Sequence, residues 1–260
     1  MLAALLVGPG GAAPEDAIAP GPREIVQRAF ANRYGLDTRQ VIEVIVRNQS
    51  GEQRRRRVAV ATKNIDGRLH SLGRFLEPEY LRGTTILNIE NADRGDDHFL
   101  YLRSLERIRR IAMNQRSDAF MGTDLTYEDF ERRRVEDYEL EARPATTVEG
   151  ERVQVVEGRP RFDSVYERVV FFVAESDTSI LETRYYKRGA DHPFKIIRAP
   201  RANTRRFGEH VLPTYLVVEN LARGTWTEVW IHELVVNPEL EDSLFTASSI
   251  EVGRPIPGLK

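Results

Sequence analysis

The residues of this chain best suited to chemistry are four carboxylates, Asp118, Asp124, Glu128 and Asp129, set close together in one stretch. Oxygen ligands of this kind can hold a divalent cation, but the spacing is not that of an EF-hand loop. A solvated acidic loop leading into a helix N-terminus accounts for them more simply. His232-Glu233 begins like a zinc-protease helix, yet no histidine follows at the required spacing and the setting is a strand. His70, His98, His192 and His210 stand alone in sequence. There is no cysteine, which excludes thiolate catalysis, cysteine-zinc sites and iron–sulfur clusters. No glycine-rich phosphate loop and no G-x-S-x-G elbow is present. With no nucleophile, base and orienter to name together, the chain reads as a non-enzyme with neither metal nor cofactor. Arg54 to Arg57 form a run of arginines at a strand start, the pattern of a solvated edge that discourages strand pairing. Nucleic acid is not an expected partner, because the net charge is −2 and no stacking aromatics flank the run.

The elements that must carry these residues are mostly strands. The chain has 260 residues, 41% of them hydrophobic and 30% charged, as in an ordinary soluble globular protein. Pro22 opens a helix in which Ile25, Val26, Ala29 and Phe30 recur at helical spacing, and Gly35 is placed to end it. From there short strands follow one another, beginning with Val41–Val46 and Arg55–Thr62 joined by the Asn48-Gln49-Ser50-Gly51 turn. Strands at this density point to an antiparallel sheet, sandwich or barrel. Asp242–Ser248 reads as a short closing helix.

Several strands are apolar on both faces. Val169-Val170-Phe171-Phe172-Val173 leaves no polar face, and only Glu43 interrupts Val41–Val46. Such strands need cover on both sides, from two protein layers or from a curved sheet around an apolar hollow. At the N-terminus, Leu2–Val7 followed by small residues resembles the back half of a secretory signal. The expected organisation is therefore a truncated signal and lead-in over 1–21, one domain over 22–252, and a tail over 253–260.

Residues 95–130 are the most specific part of the chain. They contain Gly95-Asp96-Asp97-His98-Phe99-Leu100-Tyr101-Leu102 and Arg109-Arg110-Ile111. They continue with Ser117-Asp118-Ala119-Phe120-Met121-Gly122-Thr123-Asp124-Leu125-Thr126-Tyr127-Glu128-Asp129-Phe130. This resembles the LolA-like outer-membrane lipoprotein-sorting family, in the branch found beside RND-type exporters. Arg103-Ser104 departs from that branch, which has a proline after Tyr101-Leu102, and Ala119 stands one place before Phe120. Arg74-Phe75-Leu76-Glu77-Pro78 with Arg82-Gly83-Thr84, and Leu212-Pro213-Thr214 with Asp242-Ser243-Leu244-Phe245-Thr246, extend the resemblance over about residues 22–250.

The resemblance implies a mainly β (α+β) fold: a curved antiparallel sheet forming an incomplete barrel, with helices covering its concave side. It also implies a periplasmic, non-enzymatic carrier of a lipid, a lipoprotein acyl chain or another hydrophobic molecule. The carrier would pass its cargo between an inner-membrane RND-type exporter and an outer-membrane acceptor. The alternative is an accessory subunit of an exporter complex that holds no ligand. On the alternation of strand faces, Ile42, Val44, Val46, Val58 and Val60 are candidates to line the hollow, with Leu87, Phe99, Tyr101, Phe172 and Val229. Phe120-Met121-Gly122 reads as either a lid or a loop anchored in the core. Arg107, Arg109 and Arg110, beside the loop carrying Asp118 and Asp124, are the candidate docking patch for the exporter.

Overall fold

The computed structural model describes residues 20–92, 94–112 and 115–259. The signal-peptide expectation falls on residues that lie outside this set, apart from the end of the lead-in. One long helix, α1 (Pro22–Tyr34), precedes the strands. The first group comprises β1 (Thr38–Asn48), β2 (Gln53–Ile65), β3 (Arg68–Glu77), β4 (Thr85–Ile89), β5 (Asp97–Leu102) and β6 (Arg107–Arg110). The second begins with β7 (Tyr138–Val148), β8 (Glu151–Pro160), β9 (Arg168–Ala174), β10 (Ile180–Tyr186) and β11 (Lys195–Arg198). It ends with β12 (Thr204–Phe207), β13 (His210–Pro213), β14 (Tyr215–Asn220), β15 (Thr225–Val236) and a short helix, α2 (Ala247–Glu251).

Thirteen strands make one antiparallel sheet in the order β6-β5-β4-β3-β2-β1-β15-β14-β11-β10-β9-β8-β7, with β12 and β13 paired separately. The last strand, β15, inserts between β1 and β14 and joins the two groups. β6 and β7 are opposite edges and do not pair, so the sheet curves without closing into a barrel. The segment between them leaves one edge, crosses the concave face, and returns at the other.

Local chemistry explains the elements. In the β1–β2 turn the Asn48 side-chain oxygen accepts from the Ser50 and Glu52 amides, and Gly51 takes a positive φ of 83°. That conformation is open to glycine at little cost. Gly35 ends α1 for a different reason from the left-handed cap its position implies: its φ is −78°. A Cβ there would lie 2.4 Å from the Ala31 carbonyl and from the His210 ring, so close packing of α1 on the β12–β13 hairpin requires glycine.

The sheet has an apolar layer on each side. On the concave side α1 packs Ile25, Val26, Ala29 and Phe30 against Val156, Val169, Phe171 and Val173. On the convex side Leu240, Leu244, Phe245, Ile250 and Ile256 cover Ala59, Ala61 and Leu87, with Phe99 and Tyr101 at the margin. Residues expected to be a tail thus contribute Ile256, which is 3% exposed, to the outer core. Further round the convex face, Val170 and Phe172 are shielded by cationic side chains, with the Arg184 guanidinium 4.4 Å from the Phe172 ring centre. Arginine stems cover apolar surface while their heads stay in water. The two-sided apolar pattern of β9 is thereby satisfied by protein on both faces.

Candidate functional site

The concave face encloses a hollow. Its first part, about 260 Å³, is lined by Ile42 and Val44 of β1, Val58 and Val60 of β2, Phe75, Ile86, Val229 and, from the opposite wall, Phe171 and Tyr185. A second part of about 330 Å³ continues under α1 toward Thr38, Gln40, Leu212 and Leu234. The two share Arg33, Val60, Ile180, Thr183, Ile197 and Leu216 as wall, so they adjoin as two parts of one hollow. Together they fall within the range of roughly 300–1,000 Å³ typical of small-ligand sites.

The floor is the segment that crosses from β6 to β7. Phe120 is 9% exposed and packs on Phe75, Tyr127 and Phe130, with ring centres 6.3, 5.6 and 4.8 Å away. Met121 has a positive φ of 49°, and its carbonyl accepts from Arg56 Nη2 at 2.7 Å. Polar side chains then fasten the segment to distant strands. The Asp124 carboxylate accepts from the Thr225 and Thr227 hydroxyls of β15, the second at 2.8 Å. Glu128 accepts from Ser164 Oγ at 2.6 Å and pairs with Arg133 at 3.0 Å. Asp129 accepts from Lys195 Nζ at 2.6 Å, from Tyr166 Oη at 2.8 Å and from the Thr126 amide at 2.7 Å. Glu131 meets His98 Nε2 at 3.1 Å, Arg116 Nε at 2.6 Å and Arg133 at 2.9 Å.

These carboxylates are therefore structural ties. Three of the four acids singled out as possible cation ligands have protein donors on their oxygens, and the fourth, Asp118, is exposed. Among the described residues no group of three or more histidines or acids is placed to hold a metal ion. Burial, followed by the Asp129 charge, pushes the Tyr166 and Tyr185 phenols well above their usual range. Burial pushes the Glu131 carboxyl up, but hydrogen bonds from His98 and Arg116 and the charges of Arg133 and Arg116 outweigh it and hold it at about 2.

A pH dependence follows. Glu131 is more acidic folded, at about 2, than its ordinary value of 4.5, so its contribution is fully present above pH 4.5 and is lost as pH falls toward 2. At about 1.4 kcal/mol per pH unit the loss is on the order of 3 kcal/mol. Denaturant titrations from pH 6 to pH 2.5 should show this fall in the wild type and a much shallower one in Glu131→Gln. Equal slopes would remove Glu131 as the acid-sensitive group.

The fold has close counterparts. A domain described as an outer membrane lipoprotein-sorting protein from Vibrio parahaemolyticus superposes with a TM-score of 0.82 at 25% identity, covering 89% of this chain and 98% of that one. A DUF1329 family protein from Desulfovibrio piger gives 0.80 at 22% identity, covering 88% and 97%. A LolA superfamily protein from Nitrosomonas europaea gives 0.69 at 21% identity, covering 88% and 99%. No curated protein matches the chain. A family model whose description reads "-like: Uncharacterized protein" matches residues 67–252, well over half of the sequence. The chain belongs to the family that this model describes, and its fold is LolA-like, matching the outer-membrane lipoprotein-sorting and LolA superfamily structures.

The LolA-like hollow collects only part of the set expected from sequence. Ile42, Val44, Val58, Val60, Phe120 and Val229 lie on its wall. Val46 shares the face of Val44 but lies beyond the lining, and Met121 packs beside Phe120 without reaching the cavity surface. Leu87, Phe99 and Tyr101 are on the convex side under the C-terminal segment, and Phe172 is on the convex side beneath Arg184. Strand alternation groups residues by face but does not say which face is inner when both are apolar. Arg107, Arg109 and Arg110 are exposed on the edge strand β6, Arg110 pairing with Asp97 and Arg109 reaching Gln115. Asp124, expected on the same docking surface, is instead buried against β15, because its carboxylate is consumed by two threonine hydroxyls. Sequence reasoning missed α1 as cavity wall through Arg33 and Tyr34, and missed Tyr166 and Tyr185 opposite. It also placed Arg56 on a solvated edge, whereas Arg56 is 6% exposed on the inner face.

Proposed function

We propose that this protein is a non-enzymatic periplasmic carrier whose hollow holds the acyl chain of a lipid or lipoprotein, or a comparable hydrophobic molecule. One observation carries the reading: an open curved sheet walls an apolar hollow between its two halves, and the cavity is not filled by the protein's own side chains. An acyl chain gains about 0.8 kcal/mol for each methylene taken out of water. Ten methylenes therefore bring roughly 8 kcal/mol of transfer free energy, before the costs of association. The lipoprotein-sorting description of the Vibrio relative supports a cargo of this class. Among the described residues no helix is long and apolar enough to cross a membrane. In the carrier reading, cargo comes from an inner-membrane RND-type exporter and goes to an outer-membrane acceptor. The exposed Arg107 and Arg109 on β6, with Asp118 nearby in sequence, provide the docking charges.

Mass spectrometry of organic extracts from protein purified gently out of a native periplasm tests this. A stoichiometric hydrophobic species is expected. A protein that is empty, and stays empty after incubation with total membrane lipids, overturns the reading and leaves a ligand-free exporter subunit. A variant sharpens the test. Ile42 is partly exposed and borders the cavity, so Ile42→Trp fills space rather than displacing packed core. Binding of cis-parinaric acid, followed by its fluorescence, should weaken at least tenfold with the circular dichroism spectrum unchanged. Undiminished binding would place the chain elsewhere.

A further inference from the structure

Three acids and three arginines line the first part of the hollow, and the acids are already paired. Of the acids that line it, Asp129 is taken by Lys195, and Glu128 and Glu131 are taken by Arg133, with Arg116 also on Glu131. One buried arginine of the same wall, Arg56, has no carboxylate among the described residues. Arg33, in the last turn of α1 where the two parts of the hollow meet, is exposed to solvent, lies 5.5 Å from the Tyr34 ring centre and feels the Asp129 charge. Arg56 follows strand alternation onto the inner face with Val58 and Val60. It is 6% exposed, spends Nη2 on the Met121 carbonyl, and leaves Nε and Nη1 buried with no hydrogen-bond partner among the described residues.

A buried guanidinium with unmet donors is costly unless something supplies an anion. Arginine is also the side chain whose geometry best suits carboxylate and phosphate oxygens. Another lining arginine, Arg133, meets two carboxylates from within the chain, so the deficit at Arg56 is local. Arg56 shares its side of the wall with Val58 and Phe120, and the acceptor it meets there is the loop carbonyl of Met121.

Resting on the carrier reading, we infer that the hollow selects amphiphiles with an anionic head, a carboxylate or a phosphate, over neutral ones. The head seats at Arg56, and the chain lies along Ile42, Val44 and Val229. The acids of this wall and Arg133 are already paired, which leaves Arg56 as the buried group that distinguishes an acid from an alcohol of equal length. A single arginine change should therefore remove the preference without removing chain binding.

Displacement of the neutral dye N-phenyl-1-naphthylamine by dodecanoate, dodecyl phosphate, dodecanol and inorganic phosphate tests this. In the wild type the better of the two anionic amphiphiles should displace the dye at a concentration at least tenfold below that of dodecanol, and inorganic phosphate should not compete. In Arg56→Met the anionic competitors should weaken at least fivefold while dodecanol stays within twofold; Arg56→Lys should keep part of the preference. Dodecanol matching both anions in the wild type overturns the inference, as does an equal loss for all three in a folded Arg56→Met. Inorganic phosphate competing as well as dodecyl phosphate overturns it in favour of a free-anion site. If Arg56→Met does not fold, the wild-type comparison of acid with alcohol decides by itself. Failure of every chain to bind, dye included, is a different result, and it removes the carrier reading as a whole.

Discussion

Lys195→Met should destabilise the protein by about 3–5 kcal/mol, the cost of breaking a buried ion pair from one side. Lys195 is 1% exposed and Asp129 has 3% of its side chain exposed, so neither charge is relieved by water when the other is removed. The ammonium also donates to Tyr166 Oη and lies 4.6 Å from the centres of the Tyr166 and Tyr185 rings. Methionine keeps much of the volume and removes the charge, so the loss reports on electrostatics rather than on a cavity. A domain is held by only about 5–15 kcal/mol in total, which makes this a large share. Urea denaturation of the single variants and of Lys195→Met with Asp129→Asn measures it. The double variant should cost less than the sum of the two, because removing the lysine leaves the acid without its counter-charge only in the single. A single-variant cost under about 1 kcal/mol would mean that water reaches the pair, and the crossing segment would then be held mainly by its apolar contacts.

The consequence for the site is that the floor of the hollow is tied to strands in both halves of the sheet. Asp124 binds β15, Asp129 binds Lys195 of β11, and Glu131 binds His98 of β5. A sheet that does not pair its edges would be expected to splay. Here the segment between β6 and β7 spans the concave face and ties the two halves by buried hydrogen-bonded charges. The curvature that makes the hollow and the polar network beside it are thus one construction.

Much of this fold is legible in the sequence, for reasons that can be traced residue by residue. Runs of β-branched and aromatic residues bounded by turns place β1, β2 and β9, and Pro22 marks the start of α1. The Asn48–Gly51 turn fixes the β1–β2 register, in which Val44 faces Arg56 and Ile42 faces Val58. The β12–β13 hairpin escaped because Thr204–Phe207 and His210–Pro213 are short, with little alternation to read. The site is less legible than the fold. Ala59, Leu87, Phe99 and Tyr101 form an outer apolar stripe equal in character to the inner one, and only the distant Leu240–Ile256 segment determines which stripe it covers. The ties on Glu128, Asp129 and Glu131 come from residues far along the chain, among them Ser164, Lys195 and His98, and no local spacing announces them. Arg56 did carry a signal. It shares the parity of Val58 and Val60, and that parity outweighed the charge of the run in which it sits.

Phe120→Ala separates the two readings of the crossing segment, and the structure favours an anchor. The ring is buried against Phe75, Tyr127 and Phe130, and truncating a buried phenylalanine costs about 3–5 kcal/mol. The backbone around it is pinned independently: the Phe120 amide donates to the Leu125 carbonyl at 2.7 Å, and the Asp124 amide donates to Thr227 Oγ1 at 3.0 Å. A lid must swing at modest cost, whereas opening this segment would break the Asp124, Glu128, Asp129 and Glu131 ties together. The variant should therefore lose stability by about 3 kcal/mol in denaturant while releasing cis-parinaric acid at a rate within about threefold of the wild type. Stopped-flow displacement measures the second quantity. Release more than tenfold faster, with the denaturant midpoint little changed, would make Phe120 a gate. The carrier would then discharge its cargo through the floor of the hollow. If the protein carries cargo as proposed, a fixed floor would leave the space beneath α1 for exit, where the second part of the hollow reaches Thr38 and Gln40.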